Sequence, residues 1–295
     1  MKVLVTGATG FVGRNVTVSL ERVGHKVVGV GRSRLDLLNP AAVETFLEAE
    51  RVEGLVHLAW DTTPGAYWET PENLKWAAAS LFLLESFARH GGQRAVVAGT
   101  SAEYQWGGDA DLDETCSSLR SASLYGVSKD SLRRLLEFWS PRAGVSLGWA
   151  RIFCPFGPHE KSERLIPRLI SRLQEGERIP FDSGSLIRDF LHVVELGDAF
   201  AALFDSEVQG AVNLASGEAL TIREVVTIIG EVLGRLNQIE FNTLTDPEGQ
   251  APRIVASVER LRNEVNWCPS LTTRKRLAET CEWWVNHNEL PSHLI

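Results

Sequence analysis

Hydrophobic positions in the first half of the chain fall into short unbroken runs: KVLVTG, HKVVGVG, GLVHLAW, RAVVAG and VSLGWARIF. Runs of this length, rich in Val and bounded by Gly, read as strands buried on both faces. Between them, VGRNVTVSLERVG and ENLKWAAASLFLLESFARHG space their apolar residues at helical intervals. Strands alternating with helices imply βαβ units and a mainly parallel sheet, so the pattern predicts an α/β fold with a doubly wound parallel sheet of the Rossmann kind.

Past residue 156 the rhythm changes. PFGPHEKSE is a loop rich in Pro, Gly and charge, and LIPRLISRLQEG after it has a helical period. RDFLHVVELGDAFAALFDS reads as a short strand and a helix, AVNLAS as another strand, and the remainder as mostly helix ending in RKRLAETCEWWVNH. The expected division is a dinucleotide-binding domain over 1–156 and a smaller, mostly helical substrate lobe over 157–295, with some of its segments woven back into the first domain.

Composition narrows the classes of function. The chain has 295 residues, 44% hydrophobic and 23% charged, enough for a large core. Net charge is −8 and the basic residues are dispersed, which argues against a nucleic-acid partner. An anionic small molecule remains compatible, since a few local arginines can hold it against the overall sign. Cys116, Cys154, Cys268 and Cys281 fit neither a metal-ligand spacing nor a disulfide framework. MKVLVTGATG is a strand and a glycine loop and not a signal peptide, and no apolar run reaches the roughly 20 residues of a membrane span. A cytoplasmic protein with no membrane partner and no metal is expected.

TGATGFVG lies after a strand and before a helix, with Gly7, Gly10 and Gly13 at the spacing that lets backbone approach a pyrophosphate on the helix N-terminus. At the end of the second strand, VVGVGRSR offers Arg32, Ser33 and Arg34 and no carboxylate. Arginine beside a hydroxyl suits a 2′-phosphate, so NADP(H) is favoured over NAD(H). The alternative for these arginines is a solvated surface. Asp36 either bonds the adenine or caps a turn.

LYGVSK places Tyr125 and Lys129 four apart, on one face of a helix. A phenol with a pKa near about 10 is a poor proton shuttle at neutral pH, and a neighbouring ammonium lowers it. VVAGTSAEYQW adds Thr100, Ser101 and Glu103 at a strand exit.

Together TGATGFVG, VHLAW, GTSAEY, YGVSK, RIFCPFGP, RDFLHV and VNLASGE span nearly the whole chain, and in this order it resembles the extended short-chain dehydrogenase/reductases, the nucleotide-sugar epimerase/dehydratase group. The resemblance implies that Tyr125 exchanges the proton on the substrate oxygen. Lys129 would hold the nicotinamide ribose, and Ser101, or its neighbour Thr100, would bond the reacting oxygen. It implies cofactor contacts from Gly7, Thr9, Gly10, Phe11, Val12 and Gly13 in the glycine loop. Further contacts would come from Arg32, Ser33, Asp36 and Leu37 after the second strand, and from Leu58, Ala59 and Trp60 after the third. Arg188 and Arg253 match arginines that bind the substrate diphosphate, and the loop HEKSERLIP offers Arg164 and Pro167. A homodimer formed through helices of the first domain is expected by the same analogy.

Cys154 stands where relatives often carry Asn, Trp76 where many place Asn, and Trp60 where a small residue is usual. Three reactions share the scaffold. Ala102 removes the Asp of one dehydratase class, whereas Glu103 keeps the Ser/Thr-x-Glu pattern of another. The favoured reading is reduction of the 4-keto group of an NDP-4-keto-deoxysugar, with a 4-epimerase or 4,6-dehydratase as the alternative. A non-catalytic dinucleotide sensor would be expected to lose the Ser, Tyr or Lys, all of which this chain keeps.

Overall fold

In the computed structural model, which describes residues 1–245 and 249–288, the chain runs through β1 (Lys2–Thr6), α1 (Phe11–Arg22), β2 (Lys26–Val30), α2 (Pro40–Glu50), β3 (Gly54–His57), α3 (Glu72–Arg89), β4 (Arg94–Thr100), α4 (Leu124–Trp139) and β5 (Ser146–Ile152). It continues through β6 (Cys154–Phe156), α5 (Leu165–Gln174), β7 (Ile179–Pro180), β8 (Ile187–His192), α6 (Val193–Asp205) and β9 (Gly210–Leu214). Then come β10 (Ala219–Thr221), α7 (Ile222–Val232), β11 (Ile239–Glu240), β12 (Arg253–Ile254), α8 (Glu259–Asn263) and α9 (Thr273–Asn288).

Six strands form one sheet in the order β2-β1-β3-β4-β5-β9, parallel at every pairing. β3 and β4 are buried at every residue, as strands covered on both faces must be. Their alternate side chains feed two cores. Val3, Val5, Val96 and Ala98 meet Val16 of α1 and Leu196 and Phe200 of α6. Leu4, Ala95 and Val97 meet Val43, Leu47, Leu83, Leu84, Leu132 and Leu136 of α2, α3 and α4. A fully buried Leu or Val contributes about 1.5–3 kcal/mol, so this period-two alternation fixes the strand register. The sheet is the doubly wound Rossmann arrangement that the hydrophobic runs predict.

The order reverses at β1, which lies between β2 and β3. Open α/β sheets bind ligands beyond the carboxyl ends of the strands at such a point. β9 and α6, although they lie past residue 156, belong to this sheet and its helical layer: β9 pairs with β5 and α6 packs on α1. A third core lies under α5, α7 and α9, around Ile170, Leu173, Val225, Ile229 and Leu277. Beside it β8 pairs with β6, β10 and β12. These short strands carry residues from the lobe to the mouth of the large sheet.

Candidate active site

One cleft of about 1430 Å³ runs from the glycine loop past Tyr125 to the lobe. That exceeds the roughly 300–1,000 Å³ of a single small-molecule site and suits two ligands end to end. At one end, Gly7 adopts φ +70, and a Cβ on Gly13 would stand 2.0 Å from the Gly7 carbonyl oxygen, so both positions require glycine. Gly10 caps α1 without a side-chain hydrogen bond, which leaves first-turn amides available to an anion. The loop thus fits a dinucleotide pyrophosphate. Thr9, Phe11 and Val12 line the cleft beside the glycines.

The ends of β1 and β3 are locked by a buried relay. His57 bonds the Thr6 hydroxyl at 2.7 Å and the Ser80 hydroxyl at 2.8 Å, and Thr6 Oγ1 accepts the Leu58 and Ala59 amides at 3.2 and 3.3 Å. Burial drives the His57 pKa down to about 3, with Lys129 adding repulsion, so this imidazole is neutral. The relay sets Leu58, Ala59 and Trp60 on the cleft wall.

After β2, Arg32, Asp36 and Leu37 line the cleft. Ser33, next to Arg32, is exposed and stands outside the cleft wall. Arg34 turns back to the Gly29 carbonyl at 3.0 Å and to Glu50 at 3.3 Å, leaving Arg32 as the cleft-facing guanidinium there. Asp36 Oδ1 accepts the Leu38 amide at 3.1 Å, the turn-capping alternative.

Tyr125 and Lys129 lie in the first two turns of α4, whose start is fixed by Ser123 accepting the Gly126 amide at 3.2 Å. Both line the cleft, as does Thr100, whose side chain favours the ionised form of the Tyr125 phenol. Ser101 lines the cleft beside it. The phenol sits in an aromatic box: Tyr67, Trp68 and Trp60 meet its ring edge-on at 5.0, 5.9 and 6.2 Å. Trp106 packs against Trp68 at 6.1 Å and donates its indole N–H to the Ser101 carbonyl at 2.9 Å. Burial raises the Tyr125 pKa above its usual value, against the opposing effect of the Thr100 side chain, so the phenol is protonated. Lys129 Nζ donates to the Ala98 carbonyl at 2.8 Å and lies 3.8 Å from the centre of the Trp60 ring. Burial brings its pKa down to about 7, partly opposed by Glu103.

Glu103, a candidate catalytic residue with a loop anchor as its alternative, has the surroundings of an anchor. It is fully buried, and its carboxylate accepts the Thr100 amide at 2.8 Å, the Trp149 indole at 2.9 Å and Arg151 Nε at 2.8 Å. Trp149 and Arg151 stand two apart on β5 and so share a face. Glu103 lies off the cleft and holds the turn from behind.

At the lobe end Arg164 and Arg188 line the cleft. Arg164 stands 6.0 Å from the Tyr67 ring centre; burial lowers the Arg188 pKa, and its guanidinium donates to the Ile187 carbonyl at 2.8 Å. Cys154 is on the same wall, its thiol pushed up to about 12 by burial. Two expected substrate residues stand off the cleft wall. Pro167 is buried within α5, off the cleft. On β12 it is Ile254 that lines the cleft, while Arg253 pairs with Asp111. The sequence reading missed Tyr67, Trp68, Trp106, Asn73 and His57; the aromatic clusters in GAYWET and YQW were the available signal. Trp60 and Trp76 both line the cleft while packing against the core beneath it. No helix of the described residues is long and apolar enough to cross a membrane, and no group of metal-ligating side chains occurs among them.

The fold and the glycine cradle define an NAD(P)-dependent oxidoreductase of the short-chain dehydrogenase/reductase type. The chain belongs to the NAD dependent epimerase/dehydratase family, whose model matches residues 3–215. UDP-glucuronic acid decarboxylase 1 of Xenopus tropicalis is 24% identical over 96% of this chain and 72% of its own length. GDP-L-fucose synthase 1 of Arabidopsis thaliana is 25% identical over 97% of this chain and 94% of its own. Among solved structures, the UDP-glucose 4-epimerase of Thermotoga maritima with UDP-glucose superposes with a TM-score of 0.88 at 19% identity, covering 98% of this chain and 100% of that one, a likeness of fold.

Proposed function

We propose that the protein reduces the 4-keto group of an NDP-4-keto-deoxysugar. The observation that carries this reading over a dehydratase is the commitment of Glu103 to Arg151 and Trp149, which takes the carboxylate behind the Thr100–Ser101 turn out of the chemistry. Elimination of water across a sugar needs a further acid or base there, whereas reduction of a ketone needs a hydride and one proton. A reduced nicotinamide dinucleotide, its pyrophosphate held by Gly7, Gly10 and Gly13, would supply the hydride. Tyr125, protonated in its buried box, gives its proton to the carbonyl oxygen, and Lys129 stabilises the phenolate left behind. Thr100 and Ser101, which line the cleft with the phenol, hold the substrate oxygen. The edge-on rings around Tyr125 suit the apolar edge of a deoxysugar.

Arg164 and Arg188 would hold the diphosphate, and nucleotide-sugar chemistry is the activity named for both curated relatives above. Arg32, the cleft-facing guanidinium after β2 with no carboxylate at the strand end, supports NADP(H) over NAD(H). Leu74 on α3 and Val127, Leu135 and Phe138 on α4 are exposed, which supports a homodimer through these adjacent helices. The test is NADPH and NADH consumption with a panel of NDP-4-keto-6-deoxysugars and NDP-hexoses. Stoichiometric NADPH oxidation with a keto sugar supports the proposal. Interconversion of hexoses without net cofactor turnover, or release of water from one, would replace it with epimerase or dehydratase.

A further inference from the structure

Lys129 is only 3% exposed, yet its hydrogen-bond partner in the protein is a single carbonyl, that of Ala98. An ammonium has three N–H donors, and burying it with so little compensation is costly. The groups facing it are few. Glu103, behind the turn that follows β4, favours its charge but is itself bound to Arg151; His57 at the end of β3 is neutral and offers it no counter-charge; Tyr125 is one turn away on the same helix. The remaining neighbour is the Trp60 indole, with the ammonium 3.8 Å from the ring centre. Indole is the strongest side-chain π partner for a cation, and its attraction grows when both are desolvated.

A ring can serve this way only if it is held flat to the cation. Trp60 donates its indole N–H to Asn73 Oδ1 at 2.8 Å. Asn73 is 1% exposed, and its amide nitrogen donates to the carbonyls of Tyr67 at 2.7 Å and Thr70 at 3.0 Å. Both ends of that amide are therefore fixed, and its orientation fixes the indole. The same side chain ties down the loop that carries Tyr67 and Trp68 against Tyr125.

We propose that Trp60, oriented by Asn73, is the positioning residue for Lys129: the indole face keeps the ammonium charged and beside Tyr125. The first turn of α3 thereby sets the charge of a group on α4. The importance of that charge for turnover rests on the ketoreductase reading, but the contact itself does not.

The test reads Lys129 directly in the cofactor-free protein. The chain has lysines only at Lys2, Lys26, Lys75, Lys129, Lys161 and Lys275, so ¹³C-lysine NMR, assigned with Lys129→Met, follows its titration. Removing a π face stabilises the neutral amine, so Trp60→Leu is expected to move the Lys129 midpoint down by about one pH unit, a roughly tenfold change in the protonation equilibrium. Asn73→Leu, which frees the indole, should move it the same way by a smaller amount. Trp60→Phe, which keeps a weaker ring, should fall between wild type and Trp60→Leu. Where Trp60→Leu does not fold, the other two variants decide between the outcomes. A Lys129 titration unchanged in the folded variants overturns the proposal. Shifted titration with no NADPH consumption on any keto sugar leaves the positioning role standing and defeats the ketoreductase reading.

Discussion

Lys129 and Arg151 are both buried cations, and both feel the carboxylate of Glu103. Arg151 is paired with it directly at 2.8 Å and also donates to the Tyr104 hydroxyl at 2.9 Å, and the net effect is to raise its pKa despite burial. Lys129 faces a carbonyl and a ring, and burial brings it down to about 7. The first cation is a strut, its charge met by a carboxylate at hydrogen-bond distance. The second is left with donors to spare at the cleft wall, where a ligand can take them. Satisfaction therefore separates structural charge from working charge here, more clearly than burial does.

The largest expected effect is on the working side. Tyr125→Phe removes only the proton path, so turnover should fall by about 10²- to 10⁴-fold while cofactor affinity by calorimetry stays close to wild type. Turnover near the wild-type rate would dissolve the distinction, because Tyr125 would then be no more than a packed ring.

Arg151→Met probes the strut. It strands the Glu103 carboxylate in the interior, for which a cost of about 3–5 kcal/mol is expected by urea unfolding. Glu103→Gln should lose stability as well, by leaving Arg151 unpaired, yet the protein that remains folded should reduce its substrate at a rate within about threefold of wild type once both are compared on their acid plateaus, because losing Glu103 lowers the Lys129 pKa further. A selective collapse of turnover in folded Glu103→Gln would return Glu103 to the chemistry.

The same contrast explains what is legible in the sequence. The glycine loop and the Tyr125–Lys129 pair are readable because each depends on spacing within a few residues: a turn that tolerates no Cβ, and one helical turn. Glu103 misleads because its partners, Trp149 and Arg151, lie on the neighbouring strand nearly fifty residues on. Nothing local tells a carboxylate whether the other strand offers it an arginine or the cleft offers it a substrate. The box of Tyr67, Trp68 and Trp106 is hidden for a similar reason, since two loops must fold together to make it. Arg253 fails by register: on β12 its neighbour Ile254 faces the cleft.

pH offers a smaller effect with a definite sign. Lys129 titrates near 7 in the folded protein against an ordinary value of 10.5. Between those values the unfolded chain binds a proton that the native state lacks, so this lysine costs stability at the acid end and the cost fades as pH rises. Unfolding free energy should therefore climb more steeply between pH 7 and about 9 in wild type than in Lys129→Met, with a difference in slope of about 1 kcal/mol per pH unit. Parallel curves would mean that Lys129 keeps an ordinary pKa and that its two buried surroundings, ring and carbonyl, serve it as well as a carboxylate serves Arg151.

The two lobe arginines repeat the comparison at the weakest level. Arg188 lines the cleft and is partly stripped of water, with burial lowering its pKa, whereas Arg253 is spoken for by Asp111. Arg188→Ala should weaken NDP binding about tenfold, the loss of one charge-assisted contact to a phosphate. Arg253→Ala should change it by less than about threefold while lowering stability slightly, as a partly exposed ion pair does. Calorimetry with UDP, GDP and dTDP reads both. If Arg253→Ala costs as much affinity as Arg188→Ala, then the Asp111 pair opens when substrate arrives, and an ion pair seen without ligand is no guide to which arginine is committed.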